Sequence, residues 1–588
     1  MSRALLALVA GLLVTAQPAS AQDAAPRVVE VELTPVRRAQ IAVWIERADG
    51  TYLRTLALTQ ATAVRGVGNR PGASQMNSGY NWPYGRREGV LPVWGHRRAA
   101  APGATPFSRV IFQDRTSEGW ASRSSNDFSR DDYYCLSFTQ SVSGRDNLDA
   151  VTCPSVFNSD KGRYLREADL ARGYAEPYET GPGAAMMRPL DTTSIYPPRR
   201  DVTRCTSGGC YDHADVELFA RDARAAMPEI DAVTMATPPE GVRVTLPFTV
   251  PEDWADGDYV IWVEVNTEGD YNEVFNAATL PTPRNPSGEW DFWAMTYGYP
   301  YRGQPSVVFR VPLTIGGGAL DTGAREPAGY GALDGDHGDV VAMDGNISND
   351  PTRAPGSGAD RLFLVDGQRV RVGVIGPEVC EANAPPSAVE GLTMSEHAEQ
   401  RHAHRFAHLS FLAASDDVAV TRYEVRVGQE PIVDLESFMR ALPARAATLE
   451  HEALVVPVNP RPGERIDVDL GGLTQQTHYY VAVRALDRCN AAGPIAVVEH
   501  TTPAIHFTTV SPCFVATAAY GTPLAAEIGA LRRLRDRHLA SHAPGRALVA
   551  LYEAVGPHLA DAIREEPALR AAARTLLTPV VALARWLE

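Results

Sequence analysis

The chain has 588 residues, of which 44% are hydrophobic and 21% charged, and its formal net charge is −16. That length implies several domains, and that apolar content excludes a wholly disordered chain. The acidic balance argues against a nucleic-acid partner, and 48 glycines with 44 prolines favour a turn-rich, mainly β protein.

Residues 1–21 predict a secretory signal. Arg3 gives a positive start, Ala4 to Ala16 form an apolar run, and Ala19-Ser20-Ala21 provides the small residues of a cleavage site. The run is shorter than the ~20 residues a membrane-spanning helix needs. No later segment reaches 18 uncharged apolar residues, and no Cys follows the cleavage site. The expected location is therefore exported: periplasmic, outer envelope or secreted. Export makes disulfides from the cysteines. Proximity suggests Cys135–Cys153 and Cys205–Cys210, with Cys380 and Cys489 flanking a later domain and Cys513 left over. Cys205 and Cys210 have a zinc-like spacing but lack a second Cys/His pair nearby.

From residue 27 to 315 strand signals dominate. Val28 to Leu33 alternates, and Gln40 to Glu46 and Thr51 to Leu58 flank Asp49-Gly50, a strong hairpin signal. Arg109–Phe112, Val216–Phe219, Val242–Phe248, Tyr259–Val265 and Ser306–Val311 are further candidates. This pattern predicts an N-terminal β-sandwich, with residues 117–211 as a long disulfide-clipped insertion. Residues 316–360 are rich in Gly, Asp and Pro and read as a polar linker. Their aspartates lack the spacing of a calcium loop.

Residues 361–509 begin with a hairpin, Arg361–Leu364 and Arg369–Val374 joined through Asp366-Gly367. Beyond Pro385-Pro386, strands are expected at Ala407–Ala414, Val420–Val427 and Leu473–Ala485, the last placing Tyr479, Val481, Val483 and Ala485 on one inward face. The stretch from about Pro385 to Thr509 resembles a fibronectin type III domain. Leu473 followed by Tyr479 resembles the tyrosine corner of such sandwiches, and Phe411 stands where the family often has Trp. An insertion separates Gly428 from Gly463, within which Asp434 can cap a short helix through Leu442.

The last 76 residues change class, with Leu, Ile and Val recurring at spacings of three and four. Leu569, Ala573, Leu576, Val580, Leu583 and Leu587 form the final stripe. Breaks fall at His542–Gly545 and Glu566-Pro567, and a small all-α domain follows. Nine Arg against seven acidic residues give this segment +2, leaving −18 for the rest. Its opening, Cys513-Phe514-Val515-Ala516-Thr517-Ala518-Ala519-Tyr520-Gly521, resembles the CFI-box C-terminal domain of many exported bacterial proteins, departing only at Val515. The resemblance implies a sorting or anchoring role without an established activity. Cys513 is either buried, attached to a lipid or another chain, or disulfide-bonded. The final stripe is either a bundle core, kinked at Pro579, or a peripheral membrane contact.

Two clusters carry candidate chemistry. His397, His402, His404 and His408 offer metal ligands on a connection that gives them little support. Trp82, Tyr84, Trp94, Trp290, Trp293, Tyr297, Tyr299 and Tyr301 either stack on a ligand or plug the end of a sandwich. Glu264, Glu268, Asp270 and Glu273 nearby could supply the paired carboxylates of a hydrolase. No nucleophile elbow, zincin, phosphate-loop or dinucleotide motif is present, and no cofactor is called for. The expectation is an exported interaction protein whose β modules bind a protein or polysaccharide. The alternative is a secreted carbohydrate- or peptide-active hydrolase using the N-terminal domain.

Overall fold

A computed structural model describes residues 25–64, 66–69, 88–104, 106–108, 110–112, 162–164, 175–179, 185–189, 192–198, 228–267, 270–275, 303–333, 335–348, 358–448, 452–458, 460–473, 476–504, 567–586 and separate positions between 515 and 563. The signal segment and Cys135, Cys153, Cys205, Cys210 and Cys513 lie outside them.

The described chain is mainly β, and its first part makes two facing sheets. β1 (Val28–Leu33), β2 (Gln40–Arg47) and β3 (Tyr52–Thr59) open it, β2 and β3 pairing around the Asp49-Gly50 turn with Gly50 at φ 87°. Helices α1 (Gln60–Ala63) and α2 (Pro92–Ala99) follow. Within and beside the expected insertion are three two-stranded ladders: β4 (Phe107–Ser108) with β9 (Thr193–Ser194), β5 (Val110–Phe112) with β6 (Gly162–Tyr164), and β7 (Ala175–Glu179) with β8 (Ala185–Pro189). Helix α3 (Pro228–Val233) leads to β10 (Thr234–Met235), β11 (Val244–Thr249), β12 (Gly257–Asn266), β13 (Val307–Ile315), β14 (Leu320–Ala324), β15 (Gly329–Tyr330) and β16 (Val370–Ile375).

One sheet runs β11-β1-β16-β14 and the other β10-β3-β2-β12-β13-β15. Alternation decides what each face buries. Val29, Val31, Leu33, Val370 and Val372 from the first sheet share a core with Ile41, Val43, Ile261, Val263, Phe309 and Val311 from the second. The other face of the six-stranded sheet is buried too. There Ala42, Trp44, Val260 and Trp262 pack beneath α2, Phe107 and Tyr196.

Two domain boundaries differ from the sequence reading. The segment 316–360, expected as a linker, supplies β14 and β15 at two sheet edges. Val370–Ile375, expected to open the later domain, lies between β1 and β14 in the first sheet, with Val28 opposite Ile375. Edge strands need little apolar content, so β14 (LDTGA) carries no periodic signal. The tight turn at Asp366-Gly367 is present, with φ of 51° and 81° and Val365 and Gln368 exchanging backbone hydrogen bonds at 2.9 and 3.0 Å.

After α4 (Pro377–Cys380) a second pair of sheets forms from β17 (Glu390–Glu396), β18 (Ala407–Leu412), β19 (Val420–Gly428), α5 (Leu435–Arg440), β20 (Leu442–Pro443), β21 (Arg445–Ala446), β22 (Arg465–Gly471), β23 (His478–Asp487) and β24 (Ala496–Thr501). Their orders are β17-β18-β22-β21 and β20-β19-β23-β24. Phe411, Tyr423, Val425, Val481, Val483 and Ala485 share this core, Phe411 and Tyr423 meeting edge to face at 5.2 Å. Leu473 and Tyr479 are buried together with Ala407. Asp434 caps α5 in a reciprocal pair with Ser437, so the expected cap is present.

The two sheet pairs belong to one compact unit. The Cys380–Cys489 disulfide joins α4 to the turn after β23. Ala453 N donates to Thr237 O at 2.7 Å, Gln60 Nε2 to Pro443 O at 3.2 Å, and Asn490 Nδ2 to Thr249 Oγ1 at 3.0 Å.

A second unit contains residues 397–404 and 503–588. Its best-described element is α6 (Pro567–Trp586), which begins at the expected break with Pro at its first position and carries Pro579 inside. Ala573, Val581 and Ala584 are buried. Leu569, Leu576, Val580 and Leu583, expected on the same stripe as Ala573, are exposed by 46%, 75%, 40% and 51%.

Candidate functional site

The candidate carboxylates cluster by sequence at one end of β12 and β13, and the structure gives Glu264 and Asp270 separate roles. Helix α2 begins after Leu91, which has no side-chain oxygen, and Pro92 at its first position has no N–H. The next two amides need acceptors. Glu264 supplies them from β12: Val93 N donates to Oε1 at 3.2 Å and Trp94 N to Oε2 at 2.7 Å. Ser306 Oγ donates to Oε1 at 2.6 Å. Glu264 is completely buried, and desolvation pushes its carboxyl up to about 7 against the pull of these three donors. A strand residue thus performs the work of a helix cap.

Asp270 is buried just beyond β12 and holds Arg361. The Arg361 Nε donates to Asp270 Oδ2 at 2.8 Å, and one terminal nitrogen also reaches that oxygen. Both side chains are fully buried. The remaining guanidinium donors go to the carbonyls of Val265, Pro305 and Gln304. Such forked, fully satisfied geometry is what makes a buried pair tolerable. Burial raises the Asp270 carboxyl from the ordinary aspartate value while Arg361 draws it back.

Around this pair, Gln304 N donates to Asp270 Oδ1 at 3.0 Å and Gln304 Nε2 to Asp270 O at 2.9 Å. Asn272 Nδ2 donates to Gln304 Oε1 at 3.1 Å and Asn346 O at 2.6 Å. Asn272 Oδ1 accepts from Val274 N and Phe275 N. Ser348 N donates to Gln304 Oε1 at 2.8 Å. Gly303 adopts φ 104° and bridges Asp270, and a Cβ there would sit on the Asp270 carboxylate. These contacts tie four chain segments into one polar clamp. The clamp brackets residues 276–302, the stretch that carries the second aromatic group.

Sequence reasoning missed Arg361, Gln304, Asn272 and Ser348. Apart from the local turn at Asn272, their partners lie 32 to 96 positions away, a separation no local spacing reveals. Glu273 is exposed, and Glu268 lies outside the described residues.

Of the aromatic candidates, Trp94 is described, and of the two readings, stacking on a ligand or burial, it takes the second. It is completely buried, its indole N–H donates to Thr55 Oγ1 at 3.0 Å, and its ring lies 6.2 Å from that of Tyr196. The reason is α2, which covers the outer face of the six-stranded sheet. Trp44 and Trp262 stack there at 6.0 Å, with the Arg97 guanidinium 4.3 Å from the Trp262 ring centre and paired with Glu46. Trp82, Tyr84, Trp290, Trp293, Tyr297, Tyr299 and Tyr301 lie outside the described residues.

The four histidines do not form a metal-ligating group: among the described residues no set of three or more His, Cys, Asp or Glu side chains could hold a metal ion. His408 stands on β18 opposite β22, its ring nitrogens 2.9 Å from Asp469 and 3.3 Å from Asp467. The Ser410 hydroxyl, with His408, holds the Asp467 carboxyl below its ordinary value. His397, His402 and His404 fall in the second unit, where His402 lies 3.6 Å from Glu399 and the His397 Nδ1 accepts from Glu399 N.

The Cys380–Cys489 bond expected from the sequence is formed, each residue 4% exposed and packed with Val28 and Ile375. No described helix is long and apolar enough to cross a membrane. Compared with known proteins, the chain matches no family model and no curated sequence.

Proposed function

We propose that the protein is an exported interaction protein of the cell envelope or extracellular space, built of two β-sandwich modules and a helical C-terminal domain that sorts or anchors it. Its partner is a protein or polysaccharide, gripped by Trp290, Trp293, Tyr297, Tyr299 and Tyr301. The observation that carries this reading is the polar clamp. It ties the chain just before residue 276 to the chain just after residue 302, and it commits Asp270 to Arg361 while Glu264 is committed to α2. Stacking on aromatic faces needs a rigid base and no acid–base pair.

The second module is read as a fibronectin type III domain. Two four-stranded sheets, one joining β17, β18 and β22 and the other β19, β23 and β24, agree with a Greek-key sandwich, and the buried Leu473–Tyr479 pair agrees with its corner. Export rests on the signal-like residues 1–21.

The test uses the mature chain and a Trp290→Ala/Trp293→Ala/Tyr299→Ala variant. Each is sedimented with isolated envelope polysaccharide and screened against glycan and peptide arrays. Retention of the parent with loss in the variant is expected. Equal retention of both, or turnover of an arrayed ligand by the parent, would contradict the proposal. Cell fractionation with intact-mass measurement checks export, cleavage after Ala21 and the state of Cys513.

A further inference from the structure

The four large apolar side chains that α6 exposes, Leu569, Leu576, Val580 and Leu583, are separated by seven, four and three residues. On a helix of 3.6 residues per turn, those spacings place them on one narrow line. Ala572 and Pro579, also exposed, extend the line sideways without adding a polar group. The buried residues Ala573, Val581 and Ala584 form a neighbouring face, so the helix rests on its own unit by small side chains while its large ones point outward. That is the reverse of a bundle helix, which buries its leucines.

Charge narrows what covers the stripe. Between Pro567 and Trp586 stand Arg570, Arg574 and Arg585 and no acidic residue, in a chain whose residues before Cys513 carry −18. A second copy of the helix would add three more arginines along its length, with the nearest carboxylates in the sequence, Glu565, Glu566 and Glu588, confined to the flanks of the helix. A cover that is at once apolar and negative meets both features, and an anionic bilayer surface is such a cover. Twenty residues containing three arginines and Pro579 do not span a bilayer, but they are long enough to lie along one.

We propose that α6 adsorbs in the headgroup plane of an anionic membrane, with Leu569, Leu576, Val580 and Leu583 toward the acyl chains and the arginines on the polar side. This deepens the anchoring half of the proposed function and rests on that half alone. The body carries the opposite charge, so the membrane holds the C-terminal helix and repels the β modules.

The test is flotation of the purified mature chain with vesicles of phosphatidylcholine, with and without phosphatidylglycerol, at low and high salt. The parent is expected to float with phosphatidylglycerol vesicles and to be released by salt. The Leu576→Glu/Leu583→Glu variant should bind at least about tenfold more weakly. Arg570→Gln and Arg585→Gln should each weaken binding roughly fivefold, and only to anionic vesicles. All four sites are at least partly exposed, and unchanged circular dichroism verifies the fold. Absence of flotation by the parent, or equal flotation of the double Glu variant, overturns the proposal. So does a concentration-dependent dimer that the double Glu variant abolishes, since the stripe would then belong to a second copy. None of these results bears on partner binding by the β modules, which the array experiment reads separately.

Discussion

Replacing Glu264 tests the idea that a strand carboxylate caps α2. In Glu264→Ala, the amides of Val93 and Trp94 and the hydroxyl of Ser306 lose their acceptors in a closed interior. An unmet buried donor costs about 1–3 kcal/mol, and the emptied volume adds to that, so a loss of about 4 kcal/mol is expected. Glu264→Gln is more telling because its effect changes sign with pH. The folded carboxyl sits at about 7, well above the roughly 4.3 of an unfolded glutamate. Below both values the group is protonated in either state and contributes no pH dependence. Between them the native state keeps a proton that the unfolded state releases, so stability falls as pH rises and levels off above 7. The whole fall from this group is about 4 kcal/mol. Glutamine has no such slope, yet it replaces one acceptor with a donor at a cost of about 1–3 kcal/mol. The variant should therefore be less stable than the parent at pH 5 and equal or better at pH 8. Urea unfolding followed by tryptophan fluorescence reads this directly, with Trp44, Trp94 and Trp262 around the site. Parallel pH curves for parent and Gln variant, or an Ala variant as stable as the parent, would refute the assignment.

Other expectations follow from the same structure. Arg361→Gln strands the buried Asp270 carboxylate and three carbonyls, and should lower unfolding stability by about 3–5 kcal/mol in urea titration. Gly303→Ala forces a side chain onto Asp270 at a positive φ, so hydrogen exchange at residues 270–275 and 303–306 should accelerate while the second sheet pair keeps its protection. Cys380→Ser with Cys489→Ser should destabilise by about 2–5 kcal/mol, and adding a reductant should then lower the unfolding midpoint of the parent by more than that of the variant. Asp434→Ala removes the cap of α5, and a loss of about 1 kcal/mol should appear as faster exchange at residues 435–441.

What could be read in advance was whatever a short window contains. The Asp49-Gly50 hairpin follows from two alternating runs around a turn that demands positive φ. The inward face of Tyr479, Val481, Val483 and Ala485 follows from period-two alternation, and the Asp434 cap from a side chain three residues before its partner amide. Pairing across long separations left no local trace. β16 carries the same Val alternation whether it opens a later domain or joins β1, and only the register of Val28 with Ile375 decides. Trp94 stayed open between ligand stacking and burial because an aromatic near Gly and Pro reads alike on a loop or beneath a helix. Glu264 sits in a strand whose alternation already allowed a polar side. What that side faced depended on α2, from 170 positions upstream.

The place of β1 in the first sheet has a consequence for how the polypeptide acquires its shape. β1 lies between β11 and β16, so one of its partners is not made until residue 375. At roughly 5–20 residues per second, a ribosome needs about 20–70 s to make that stretch. Throughout that interval Val29, Val31 and Leu33 lack one of their two neighbouring strands, as an open edge that invites wrong pairing. A holdase on the nascent chain, or passage through a narrow channel before collapse, would bridge the gap. Fragments that stop before β16 should aggregate rather than fold, however complete their six-stranded sheet.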